Sequence, residues 1–156
     1  MSASSTARRI AATVLAAGAM VSVAALPASA HDGDRHRTPK VEISAVQADS
    51  PGRDNRSNRS LNAEWVEITN NTRHPVNLDG WTLKDKDGHR YTFNDYRLAG
   101  RSTVRIHTGE GRDSRTDLYQ DRRNYVWNND SDTATLRDDR GRVVDTESWG
   151  RHHHRR

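Results

Sequence analysis

Beyond its first thirty residues this chain is short of apolar material, and that shortage decides what it can fold into. Residues 1–30 hold 19 of its 50 Ala, Val, Ile, Leu, Met, Phe, Trp, Tyr and Cys residues, leaving 31 for the other 126 positions. A helical bundle needs a broad apolar stripe on each helix, which so polar a chain does not supply. An antiparallel β-protein needs only one buried face per strand. With four Trp, four Tyr and one Phe in the chain, aromatic side chains are expected to carry much of the core. There is no cysteine, which excludes disulfides, thiolate metal sites and cysteine nucleophiles.

The first thirty residues read as a secretory signal peptide. Arg8 and Arg9 form a positive start, residues 10–26 an apolar stretch, and Ala28-Ser29-Ala30 a small-residue cleavage site ahead of His31. A membrane anchor is the alternative, but an Ala-rich stretch of about 17 residues is at the short end for a span. Ile10-Ala11-Ala12 does not continue a twin-arginine pattern after Arg8-Arg9, so the general secretory route is the expectation. The mature chain then keeps 23 basic against 21 acidic residues, a net charge of +2. It is expected to be secreted and extracellular, with no membrane span after cleavage. Arg outnumbers Lys by 22 to 3, which reads as GC-rich bacterial codon usage rather than as a nucleic-acid signal, because Asp and Arg alternate along the chain.

Residues 31–39 contain no Val, Ile, Leu or aromatic side chain and are expected to be a disordered lead-in. A domain spanning 40–150 follows, and 151–156 form a His/Arg tail. Val41, Ile43 and Ala45 alternate as in a strand, and the polar residues 47–63 read as a long loop. Strands are predicted at 64–68, around Val76 and Leu78, at 81–83, at 91–93 and at 103–107. A short aromatic strand is predicted at 125–127, and a closing hairpin at 133–146. Asp87-Gly88 marks a hairpin turn. No helical period is visible after residue 30. Six to eight short strands without helices predict an antiparallel sandwich, with a barrel as competitor.

Five blocks then point to a family. Asn62-Ala63-Glu64-Trp65-Val66-Glu67-Ile68-Thr69-Asn70 resembles the N-E-W-V-E-I-x-N block of the lamin tail domain, and Val76-Asn77-Leu78-Asp79-Gly80-Trp81-Thr82-Leu83 its V-x-L-x-G-W-x-L block. The hairpin 85–93, the strand 98–109 and the W-N-N-x-x-D-x-A-x-L stretch 127–136 are similar to its next three blocks, in the family's order. The resemblance implies an all-β, immunoglobulin-like antiparallel β-sandwich of lamin tail type without a disulfide. It also implies an interaction module rather than an enzyme. Bacterial members often accompany a hydrolase domain, and none is read here.

The residues that could carry chemistry mostly have plainer uses. Glu64 and Glu67 lie three apart on a strand, so they point to opposite faces and do not make a carboxylate pair. Trp81 is expected inward, near Val76, Leu78, Phe93 and Leu136. Trp65 and Val66 are adjacent and cannot share a face. Asp85-Lys86-Asp87-Gly88 opens like a calcium loop, but the twelfth position is Tyr96 instead of Glu, so a turn is expected. The oxygen-rich stretch 128–132 reads as a set of side-chain caps. His152-His153-His154 offers imidazoles without enforced geometry, and His107 and Ser102 have no triad partners in view. No catalytic, cofactor or metal residues are therefore assigned.

The expected function is a secreted, non-enzymatic module for an extracellular protein or cell-surface polymer. The alternative is polyanion or nucleic-acid binding through Arg112, Arg115, Arg122 and Arg123. Those four are offset by Glu110, Asp113, Asp117 and Asp121 in the same stretch. A small metal-dependent hydrolase is the remaining reading. N-terminal sequencing of the protein from culture medium is expected to begin at His31; Met1 recovered from a membrane fraction would contradict the leader assignment.

Overall fold

The computed structural model describes residues 39–150. The leader at 1–30, nearly all of the lead-in and the 151–156 tail lie outside the described residues. The order is β1 (Val41–Gln47), α1 (Asn58–Ala63), β2 (Trp65–Asn70), β3 (Val76–Asn77), β4 (Thr82–Lys84), β5 (Arg90–Thr92), β6 (Arg97–Leu98), β7 (Thr103–His107), β8 (Asp117–Tyr119), β9 (Ser131–Arg137) and β10 (Val143–Gly150). One sheet runs β1-β2-β7-β8 and the other β10-β9-β4-β5, with β3 and β6 pairing as a small ribbon. All pairs are antiparallel except β7 with β8. This is the sandwich, and not the barrel.

The strands bury one face each, as period two requires. In β2 the inward positions are Val66, Ile68 and Asn70, and in β9 they are Asp132, Ala134 and Leu136. The alternation is interrupted in β1, where a bulge between Ile43 and Ala45 shifts the register against β2. At that bulge the Ile43 amide turns to the Asp145 carboxylate of β10, 2.7 Å away. The neighbouring edges of the two sheets are thereby tied together.

Aromatic side chains do not dominate the core. Most of the buried cluster is Val, Ile and Leu, joined by Phe93 and Trp127. Trp81 is only half-buried, packed against the cluster from its rim. By parity it shares the side of Leu83, but it stands just outside β4, where the sheet no longer covers it. Leu78, Phe93 and Leu136 are buried as expected, while Val76 is half-buried. Trp65 faces outward under the Arg105 guanidinium, 4.2 Å from its ring centre, and Val66 faces inward.

The main differences from the sequence expectation lie in three segments. Residues 58–63 form a helix, started by the Ser57 hydroxyl accepting from the Ser60 amide at 3.2 Å. Six residues are too few to display a helical period. What docks the helix is polar as well as apolar. Leu61 is buried, while the Asn58 and Asn62 side-chain amides, one turn apart, both donate to the Glu110 carbonyl at 2.8 and 2.9 Å. Gly109 makes room for this: a Cβ there would lie 2.5 Å from both asparagine oxygens. Residues 125–127, expected as a strand, form none, while 117–119, where no strand was expected, form one.

The 125–127 backbone is occupied by Glu64, whose side chain is fully buried. Its Oε1 accepts from the Thr108 hydroxyl at 2.5 Å and the Val126 amide at 2.9 Å, and its Oε2 from the Trp127 amide at 3.3 Å. One carboxylate thus joins the start of β2, the exit of β7 and the approach to β9, and so connects the two sheets. Burial pushes its carboxyl up from 4.5 to about 7, against the three hydrogen bonds, which favour the charged form.

Phe93→Ala should cost about 3–5 kcal/mol, a large part of the roughly 5–15 kcal/mol that holds a small domain folded. Trp81→Ala, at the rim, should cost less, about 0.5–3 kcal/mol. Urea unfolding compares them, and equal costs would contradict the rim placement. Because Glu64 takes its proton more readily folded than unfolded, its proton stabilises the fold fully below about pH 4.5. That contribution is lost as pH rises to about 7. Glu64→Gln, whose amide sets N–H against N–H, should cost about 1–3 kcal/mol at the acid end. The gap to wild type should narrow as pH climbs through that window. A gap independent of pH would contradict the buried titration.

Candidate binding surface

The polar residues that attracted a chemical reading are mostly engaged by the chain's own backbone. Asp85, buried beside the hairpin turn, accepts from the Gly88 and His89 amides at 2.7 Å each and from the His89 ring at 2.5 Å. Asp132, also buried, accepts from the Lys86, Asn128 and Thr133 amides at 3.1, 2.9 and 2.7 Å. Asn128 in turn accepts from the Asp130 amide at 2.9 Å. Both oxygen-rich stretches are therefore sets of caps. Among the described residues no three His, Cys, Asp or Glu side chains come together as a metal set.

His107 illustrates the same use of polar groups. Its Nδ1 faces the Asn62 carbonyl at 2.7 Å and its Nε2 faces the Asp117 carboxylate at 2.9 Å, with the ring stacked on Tyr119. Both ring nitrogens are engaged, so neither is free to act as a base on a substrate. Asp117 is held below the ordinary carboxylate range by the Thr116 hydroxyl and by His107. Glu67 lies on the outer face, opposite in sense to buried Glu64, and pairs with Arg105 at 3.1 Å.

What stays open to solvent is a set of shallow clefts. One of about 420 Å³ lies along the seam of β1 and β10, between residues 43–49 and Trp149. A second, of about 280 Å³, is lined by Arg122, Arg123, His89 and Tyr125. There Arg122 donates to the Arg90 carbonyl at 3.0 Å, and Arg123 lies 3.5 Å from the Glu110 carboxylate. A third, of about 460 Å³, is lined by Arg97 and Arg115 with Ser102, Thr103 and Thr116. The four candidate arginines are thus distributed: Arg122 and Arg123 share one cleft, Arg115 lines another, and Arg112 lines neither of these. Arg97 was not a sequence candidate, because nothing local marks it. Only the pairing of β3 with β6 beside the β7–β8 edge brings it to Arg115.

Comparison with known proteins agrees with this architecture. No curated protein matches the chain. The family described as Lamin Tail Domain matches residues 34–151, which takes in every strand described above. A cysteine-free immunoglobulin-like sandwich, with the five sequence blocks on its strands and turns and a family match over most of its length, identifies this chain as a member of the lamin tail domain family.

Proposed function

We propose that this chain is a secreted bacterial lamin-tail-type module that holds an extracellular partner, a protein or a cell-surface polymer, without transforming it. In this reading residues 1–30 are a leader removed after Ala30. The sandwich of residues 40–150 does the binding, between the 31–39 lead-in and the His/Arg tail at 151–156. One observation carries the non-enzymatic part. The buried carboxylates of Glu64, Asp85 and Asp132 are filled by donors from their own chain, and both nitrogens of His107 are engaged. A general acid or base must reach the proton it moves, and these groups face inward onto backbone amides or neighbouring side chains. The family match is consistent with this reading, because the immunoglobulin-like sandwich of lamin tails fits a binding or structural module.

The test is to mix the purified mature protein with cell-wall polysaccharide, anionic polysaccharides and duplex DNA, and to follow both retention and chain length. Retention of at least one polymer whose length does not change with time is the expected result. Turnover that requires a divalent cation and stops on chelation would overturn the reading in favour of a hydrolase.

A further inference from the structure

The geometry points to the cleft between β6 and the approach to β8 as a site for an anionic saccharide, whose phosphate or sulfate ester is gripped by Arg97 and Arg115; this rests on the reading of the chain as an extracellular binding module. The two arginines come from separate elements and line one cleft of about 460 Å³ whose walls include no carboxylate. Three guanidinium groups are paired, Arg105 with Glu67, Arg123 with Glu110 and Arg142 with Asp138, and most of the other described arginines stand alone; what sets Arg97 and Arg115 apart is that they share one cleft. Arg97 and Arg115 make no ion pair among the described residues. Two unpaired forks over one cavity suit the oxygens of a tetrahedral oxyanion, which arginine meets in bidentate fashion.

The cleft is also built on fixed backbone. The Tyr96 hydroxyl donates to the Arg115 carbonyl at 2.7 Å, and burial pushes that phenol up to about 12, so it keeps its proton. The Ser114 hydroxyl accepts from the Thr116 and Asp117 amides at 3.2 and 3.0 Å, setting the turn that carries Arg115. The nearest carboxylate on β8, Asp117, faces the adjacent cleft and is engaged by Thr116 and His107. It makes no ion pair with Arg97 or Arg115.

The size and the remaining walls argue for an ester on a sugar rather than a bare ion. A cavity of about 460 Å³ is in the range of small-molecule sites and well beyond one anion. Ser102 and Thr103 offer hydroxyl groups to a carrier, and Pro75 and Ala99 an apolar surface for its C–H face. A nucleic-acid duplex instead asks for a stripe of cations that follows successive phosphates. Of the other candidate arginines, Arg122 and Arg123 line a different cleft, where one of them is already paired, and Arg112 lines neither cleft.

The experiment measures retention on dextran sulfate, a phosphorylated mannan, unsubstituted dextran and duplex DNA for wild type, Arg97→Ala/Arg115→Ala and the charge-matched Arg59→Ala/Arg140→Ala. Both cleft arginines are exposed, and unchanged thermal unfolding would confirm that the cleft double variant folds. Wild type should be retained by the sulfated or the phosphorylated polymer and not by dextran. The cleft double variant should bind at least about tenfold more weakly, with Arg59→Ala/Arg140→Ala as wild type. Competition by inorganic sulfate against inorganic phosphate distinguishes the two esters. Equal binding by the cleft double variant, tighter binding of DNA than of either anionic polysaccharide, or no retention of either by wild type would overturn the site. If an uncharged polymer is held equally by wild type and the cleft double variant, the site falls while the module reading stands. Metal-dependent degradation of the polymers would remove both.

Discussion

The fold depends on one buried carboxylate. Glu64 sits at the entry to β2 and supplies acceptors to the hydroxyl of Thr108 and the amides of Val126 and Trp127. Without it two amides next to the core would have no partner, and unpaired buried donors are costly. Because the same group joins the entry to β2, the exit of β7 and the approach to β9, it fixes the path by which the chain crosses from one sheet to the other. An apolar residue at this position would leave those donors open. The scarcity of apolar residues noted at the outset makes such a polar tie more consequential here than in a domain with a thicker core.

The same economy recurs at the turns. Asp85, Asp132 and Asn70 are buried and accept from or donate to backbone groups that no strand partner serves. Polar side chains thereby do inside the domain what extra strand length does in others. This is why an oxygen-rich stretch in this chain signals capping, and why the outer surface, rather than a buried pocket, is where the structure meets its surroundings.

The strands with clean alternation were legible from sequence: β7 is found at the residues expected, and the Asp87-Gly88 hairpin joins β4 to β5. The bulge in β1 was not, because it depends on Asp145 from the far end of the chain. Residues 125–127 have the composition of a strand, but their amides are taken by a side chain 62 positions earlier, which no local pattern reports. Helix α1 was hidden for a related reason: its asparagines look like loop residues until the Glu110 backbone is placed against them. Trp81 has the right parity for the core, yet its distance from the sheet end is a tertiary property. Of the cleft pair, Arg115 was visible as one of several arginines in a polar stretch. Its companion Arg97 became visible only when the ribbon of β3 and β6 was folded onto the sheet edge.

The most direct test of this account follows the Glu64 side-chain carboxyl carbon by NMR as pH is varied. The account predicts a midpoint near 7, well above the ordinary 4.5, with the amide signals of Val126 and Trp127 moving through the same transition. A midpoint at the ordinary carboxylate value, with those two amides unmoved, would contradict it.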